Sequence, residues 1–352
     1  MSFIDAYSHF CPPSFLKYMN DHAKSFSPGN CDHAFKPLFE NTITLIDISA
    51  RLEQMAKYAI EKSVLVPLPW IESIPQVHAD KILSSEAAEL INSEMAKIAQ
   101  EYPDKFYSVG MLPTVDPDYM MKAYQTAIHY HQLHGLVLFV GPQQKPLDHP
   151  DYLHLFTQAA QDDVPVWIHP CRSYQVADYQ GEKFSKYMIW QTLGWVFDSS
   201  CAMIRLGMSG IFERYPNLKV ITHHHGAMIP LFSERMNYSL EFFVQKGRQT
   251  MPDLPNQQDL IQNLKYFYCD TASSSYQPSA IQQAVDFFGE DKVLFGTDSP
   301  MEVSGGIHFI ENAQNSLADM TVDAAIKKKI QKDNILQVLR SRSALPPARA
   351  HC

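Results

Sequence analysis

Residues 293–300 read VLFGTDSP: three apolar residues, a glycine, then an acid held among small polar residues and a proline. A short apolar run that stops at Gly or Pro is the pattern of a strand buried on both faces, as in a parallel sheet. Three other segments end the same way: FIDAYSHF (3–10), VPVWIHP (164–170) and KVITHHHG (219–226). Each closes on a residue type that binds metal or moves protons. Outward from these, further strand candidates are SVLVPLP (63–69), KFYSVGMLP (105–113), LHGLVLF (133–139) and KYFYCDTA (265–272). Amphipathic segments predict helices at 47–60, 79–102, 118–132, 149–162, 185–216, 228–246 and 278–289. Eight strands with helices between them predict an α/β fold, a (β/α)8 TIM barrel, in which residues past the strands' carboxyl ends form the active-site face. A doubly wound open sheet would carry a Gly-rich phosphate loop after its first strand, and DAYSHFCPP has none.

Residues 11–46 show no clear period and are expected to form a small inserted cap after the first strand, over the barrel mouth. Residues 247–262 form a Pro/Gln-rich insertion, and 341–352 (SRSALPPARAHC) are expected to be a disordered tail, leaving 1–340 as a single barrel. With 352 residues, 45% hydrophobic and 19% charged, the composition is that of a globular protein with a sizeable core. A formal net charge of -9 argues against nucleic acid or an anionic membrane as partner, since both call for a basic face. No apolar run approaches the roughly eighteen residues of a membrane span, and no charged-then-apolar leader opens the chain, so the expected location is cytoplasmic. The cysteines lack CxxC spacing and indicate neither a zinc knuckle nor a disulfide framework.

A catalytic metal site needs about three protein ligands with a position left open, and imidazole with carboxylate suits zinc, manganese or iron. His9, His169 and Asp298 would supply such a set from three strands. A lone buried histidine is more often a satisfied core residue, but several such groups at strand ends of one barrel favour function. Strict alternation would send His223 and His225 to one side and His224 to the other, if the strand runs that far. Asp270 is a candidate to orient a histidine or to cap a helix. Trp70 and Tyr174, on loops at the active end, are candidates to stack on a planar substrate, and Arg172 is a cationic candidate for an anionic one; Trp167, Trp190 and Trp195 read as packing.

On Asp5-x-x-x-His9, SARLEQMAKYAIEKSVL (49–65), WIHP (167–170), GIFERYPNLKVITHHHG (210–226), FYCDTA (267–272), LFGTDSP (294–300) and DNILQVL (333–339), the chain resembles the amidohydrolase superfamily. The similarity is to the branch around aminocarboxymuconate-semialdehyde decarboxylase and the γ-resorcylate-type decarboxylases, and it covers nearly the whole chain. It implies that His9, His169 and Asp298 hold one divalent metal ion, zinc ahead of manganese or iron. It also implies that His224 hydrogen-bonds the metal water or substrate, that Arg51 binds the substrate carboxylate, and that Arg235 reaches a neighbouring subunit in a homodimer or higher homo-oligomer. One departure is plain: the family pattern after the first strand is His-x-His or Glu-x-His, whereas this chain has Tyr7-Ser8-His9. Tyr7 is an unusual ligand, a hydrogen-bond donor to substrate, or a packing residue.

The leading expectation is a metal-dependent non-oxidative decarboxylase, a carbon–carbon lyase acting on a small aromatic or unsaturated carboxylate, with His224 and Asp298 moving the proton. The alternative is a metal-dependent hydrolase of an amide, ester, lactone or carbon–carbon bond, and a third class is a binding barrel that has lost its metal.

Overall fold

The structure, a computed structural model, describes residues 2–22, 41–247, 257–272 and 276–339. Eight strands follow one another: β1 (Phe3–His9), β2 (Ile60–Val66), β3 (Phe106–Met111), β4 (Gly135–Val140), β5 (Val166–Pro170), β6 (Val220–Thr222), β7 (Tyr268–Asp270) and β8 (Val293–Leu294). Every neighbouring pair is parallel and the spatial order is the sequence order, with helices between the strands. This is the expected (β/α)8 barrel.

Three of the helices start at a short acidic cap. Asp47 accepts hydrogen bonds from Ser49 N and Ala50 N at the head of helix Ile48–Lys57, and Asp80 and Asp116 do the same for helices Lys81–Glu101 and Pro117–Gln125. Each cap satisfies backbone donors that the first turn leaves free. Strand alternation sends Trp167 and His169 of β5 inward, Trp167 below and His169 above. The indole N–H of Trp167 crosses the interior to donate to Ala6 O at 3.2 Å. Gly135 leaves room for that ring, since a Cβ there would come within 2.5 Å of it.

The last strands are shorter than the sequence pattern suggests. Val293 and Leu294 alone pair with β7, because the residues after them turn to β1 and close the barrel. Across this seam Ala6 N donates to Phe295 O (2.7 Å), Asp298 N to Tyr7 O (3.0 Å) and His9 N to Ser299 O (2.8 Å). The long helix expected over 185–216 is three pieces, Ile189–Thr192, Gly194–Gly207 and Ile211–Arg214, with Gly210 in the left-handed region (φ 74°) between the last two.

The segment expected to form a cap begins with a regular helix, Pro13–His22, which buries Phe15, Leu16 and Met19. It packs beside helix Lys81–Glu101, where Tyr18 Oη donates to Leu83 O at 3.3 Å. None of its described residues lines the mouth cavity. Residues 23–40, part of the Pro/Gln-rich insertion and the tail 341–352 lie outside the described residues. Among the described residues, no helix is long and apolar enough to cross a membrane.

Candidate metal centre and active-site cavity

On β1 the inward positions are Asp5, Tyr7 and His9, one above another. Asp5 is the anchor at the bottom. Its Oδ1 accepts from Tyr7 N (3.1 Å) and Thr297 N (3.0 Å), and its Oδ2 from Thr297 Oγ1 (2.6 Å). Burial pushes this carboxyl up to about 7 in spite of those bonds. The anchor ties the Gly-Thr-Asp turn to β1, and Asp298 is held there in the left-handed region (φ 62°).

At the top of β1, His9 Nδ1 lies 3.2 Å from Val66 O, which accepts its proton and leaves Nε2 with a free lone pair. That Nε2 is 3.3 Å from Asp298 Oδ1. His169 arrives from β5, and its Nδ1 is buried without a hydrogen-bond partner among the described residues. Burial, followed by the charges of His223 and His9, holds the His169 imidazole well below its ordinary range, so it stays neutral and able to ligate. His9, His169 and Asp298 offer ligand atoms all within 4.8 Å of one another; His223, His224 and Asp298 form a second such group. Burial alone would raise the Asp298 carboxyl, but His223 and His9 outweigh it and hold it well below the carboxylate range. Two imidazoles and a carboxylate, with an orphaned ring nitrogen among them, fit a divalent ion.

The three consecutive histidines do not alternate. β6 ends at Thr222, and His224 and His225 both take left-handed backbone angles (φ 61° and 57°) before Gly226 (φ 82°). A Cβ at Gly226 would sit 2.4 Å from the Phe288 ring, so glycine is needed on both counts. The turn drops His223 into the barrel and sends His224 and His225 to the cavity wall. His223 Nδ1 donates to Asp270 Oδ2 at 2.7 Å, and His223 Nε2 lies 3.4 Å from Asp298 Oδ1. Burial lowers the affinity of His223 for a proton, but the two carboxylates reverse that and bring it up to about 9. Asp270 Oδ1 also accepts from His224 N at 3.1 Å and from Ala272 N at 3.1 Å, so one carboxylate orients both histidines and holds the turn that follows β7.

Above these groups opens a cavity of about 970 Å³, lined by His9, His169, His224, His225 and Asp298 at one end and by Trp70, Trp190, Trp195 and Phe232 on its walls. Such a volume takes a small planar molecule with room to spare. Tyr7 lies beneath it, fully buried, its hydroxyl without a partner among the described residues.

Several expected substrate residues are placed elsewhere. The Arg51 guanidinium is buried and spends its donors on backbone, Nε to Thr44 O (2.9 Å) and Nη2 to His9 O (2.6 Å), so it braces the site from behind and is absent from the cavity lining. Burial brings it down to about 10. Arg172 does line the cavity, but both its arms are taken by Asp198, at 2.8 Å each, which neutralises it as an anion clamp. Tyr174 stacks on Phe184, ring centroids 5.3 Å apart, outside this cavity. Arg235 is exposed on helix Ile229–Gly247. Trp70 is on the wall as expected, and Cys171 joins it. Sequence reasoning missed Glu72, a carboxyl in the cavity lining for which the only signal was an acid two residues after Trp70.

A sequence model of the amidohydrolase family matches residues 73–341. The γ-resorcylate decarboxylase of Rhizobium radiobacter is 24% identical over 339 residues, covering 94% of this chain and 96% of its own. A solved 2,6-dihydroxybenzoate decarboxylase in complex with 2,6-dihydroxybenzoate superposes with a TM-score of 0.77 at 22% identity, over 97% of this chain and 99% of its own. A dihydroxybenzoic acid decarboxylase from Polaromonas sp. JS666, solved with manganese and the inhibitor 2-nitroresorcinol, gives 0.76 at 22%, over 96% and 97%. At these identities the solved structures speak for the fold. The family match spans most of the chain, and the chain therefore belongs to the amidohydrolase family.

Proposed function

We propose that this protein is a metal-dependent non-oxidative decarboxylase of a small aromatic or unsaturated carboxylic acid. The observation that carries the reading is the cluster of His9, His169 and Asp298 at one end of an aromatic-walled cavity. The decarboxylase named above, matched along nearly its whole length, supports it. His9, His169 and Asp298 would hold one divalent ion, zinc in our reading, with manganese and iron as the other ions this ligand set suits. Such an ion supplies Lewis-acid polarisation of the substrate carboxylate or an adjacent hydroxyl.

The chain's own groups do the rest. The aromatic walls hold the ring and exclude water. Asp298, ionised at rest, takes up a proton from His223 beside it, and Asp298 or His224, on the wall beside the cluster, delivers a proton to the ring carbon that bears the carboxylate. The bond to the carboxylate then breaks, CO2 leaves, and the electron pair restores the ring. His223, 3.4 Å from Asp298 Oδ1, can return a proton to it after turnover.

We place the enzyme in the cytoplasm and read it as a homodimer or larger assembly. Leu231, Tyr238 and Phe242 are 67, 66 and 60% exposed on helix Ile229–Gly247 and recur at helical spacing with Arg235 among them, a stripe suited to a second copy. Sedimentation tests that point. For the reaction, purified protein is incubated with a panel of hydroxybenzoates while CO2 is followed and metal is counted by elemental analysis. Release of CO2 that stops on chelation and returns with metal is expected; turnover confined to a hydrolysable amide or ester would replace this reading with the hydrolase.

A further inference from the structure

Glu72 belongs to the short helix Trp70–Ser73 that follows β2, and it lines the same cavity as His169 and Asp298. The wall around it is apolar, with Leu68, Pro69, Trp70 and Pro75 beside it in the chain. The described lining holds no lysine, and its one guanidinium, Arg172, is held by Asp198. Oε2 of Glu72 is buried and makes no hydrogen bond among the described residues. Cys171, next in the chain after β5, lines the same cavity as Glu72 and His169. A carboxyl so placed costs free energy unless something in the cavity pairs with it. Burial pushes it up to about 8, so near neutral pH it is mostly a neutral acid that both accepts and donates.

We propose that Glu72 determines specificity by reading a hydrogen-bond donor, hydroxyl or amino, carried on the substrate ring away from the carboxylate. This rests on the aromatic-acid reading above. A ring whose carboxylate is drawn to the end of the cavity formed by His9, His169 and Asp298 offers its other substituents to the walls. One that carries a donor satisfies Oε2, and an unsubstituted ring leaves it unpaired in an apolar wall. Sites built to bond a substrate O–H or N–H reject analogues lacking it far more strongly than apolar pockets reject a missing methylene.

Calorimetric titration of the full-length protein with benzoate, 3- and 4-hydroxybenzoate and 3- and 4-aminobenzoate tests this through affinity, so it stands apart from whether any of them turns over. At least one donor-bearing ring is expected to bind about tenfold or more tighter than benzoate. The ratio should fall to near unity in Glu72→Leu and persist in part in Glu72→Gln, whose amide oxygen can still accept. Glu72→Ala makes the same comparison if Glu72→Leu does not fold. Equal affinity for all five acids in the wild type, or a preference that survives Glu72→Leu or Glu72→Ala, overturns the proposal.

Discussion

The Tyr7 phenol lies against the His223 imidazole with ring centroids 4.0 Å apart and planes inclined by 28°. It is also nearly parallel to His169, at 5.8 Å and 13°, and meets His9 edge-on at 5.1 Å. The ring thus packs among three histidines, His9 at the end of β1, His169 on β5 and His223 just past β6. Packing accounts for the ring, and its hydroxyl is left without a partner among the described residues.

Tyr7→Phe should therefore keep the rings in place and remove a buried unpaired hydroxyl. We expect an equal or higher melting temperature and unchanged metal content by elemental analysis, whereas Tyr7→Ala should lose about 3–5 kcal/mol through the cavity it opens. Loss of metal from Tyr7→Phe would instead make the phenol oxygen a ligand.

Asp270 holds His223 by its side chain and His224 by its backbone. In Asp270→Asn the amide oxygen can keep one of these bonds, but the anionic partner of His223 is gone. Activity or metal affinity is expected to drop about 10–100-fold, the usual effect of removing a carboxylate that orients a histidine at a metal centre. Steady-state kinetics and metal titration of the variant measure both.

Asp5 gives a stability signature with a definite sign. Its carboxyl rises from 3.8 to about 7 on folding, so between those limits the folded state binds more protons than the unfolded one. Its contribution is fully present below about pH 4 and is lost as pH rises towards 7, a change on the order of a few kcal/mol. Asp5→Asn can keep the bonds from Tyr7 N and Thr297 N on its amide oxygen, and its amide nitrogen can donate to Thr297 Oγ1 in place of the bond that Oδ2 accepts, while the titration is removed. Urea unfolding across that window should show stability falling more steeply with pH in the wild type than in the variant; parallel curves would refute the assignment.

Arg172 and Asp198 form a two-armed ion pair that is mostly buried, with side-chain exposures of 17% and 7%. Arg172→Ala should cost stability, about 2–4 kcal/mol, because it leaves Asp198 uncompensated. The affinity for a carboxylate ligand should change little. A large rise in KM with an unchanged melting temperature would restore Arg172 as a substrate clamp.

The barrel and the convergence of His9, His169 and Asp298 could be read from the chain because each ends an apolar run, and strand ends in this fold share one rim. What lay beyond reading were bends and partners. Nothing in THHHG announces that His224 and His225 adopt left-handed angles, so alternation misassigned the neighbours and hid His223 inside the barrel. Arg172 looked available because its partner Asp198 stands 26 residues away on another element. Arg51, assigned through the resemblance, turns inward because Thr44 O and His9 O are backbone acceptors that side-chain patterns do not reveal. The helix Pro13–His22 escaped notice because Pro, Phe and His dilute a short apolar face.

The seam between β8 and β1 bears on how the protein is made. His9 and Asp298 stand on its two sides, joined by the hydrogen bonds that close the barrel, and His169 comes from midway along the chain. While a ribosome is still extending the polypeptide, His9 has long emerged and Asp298 has not, so no nascent fragment short of residue 298 can present all three side chains together. Were these three to hold an ion as proposed, its capture would mark completion of the whole circuit, and the energy released would go to the joint where β1 meets the turn that carries Asp298.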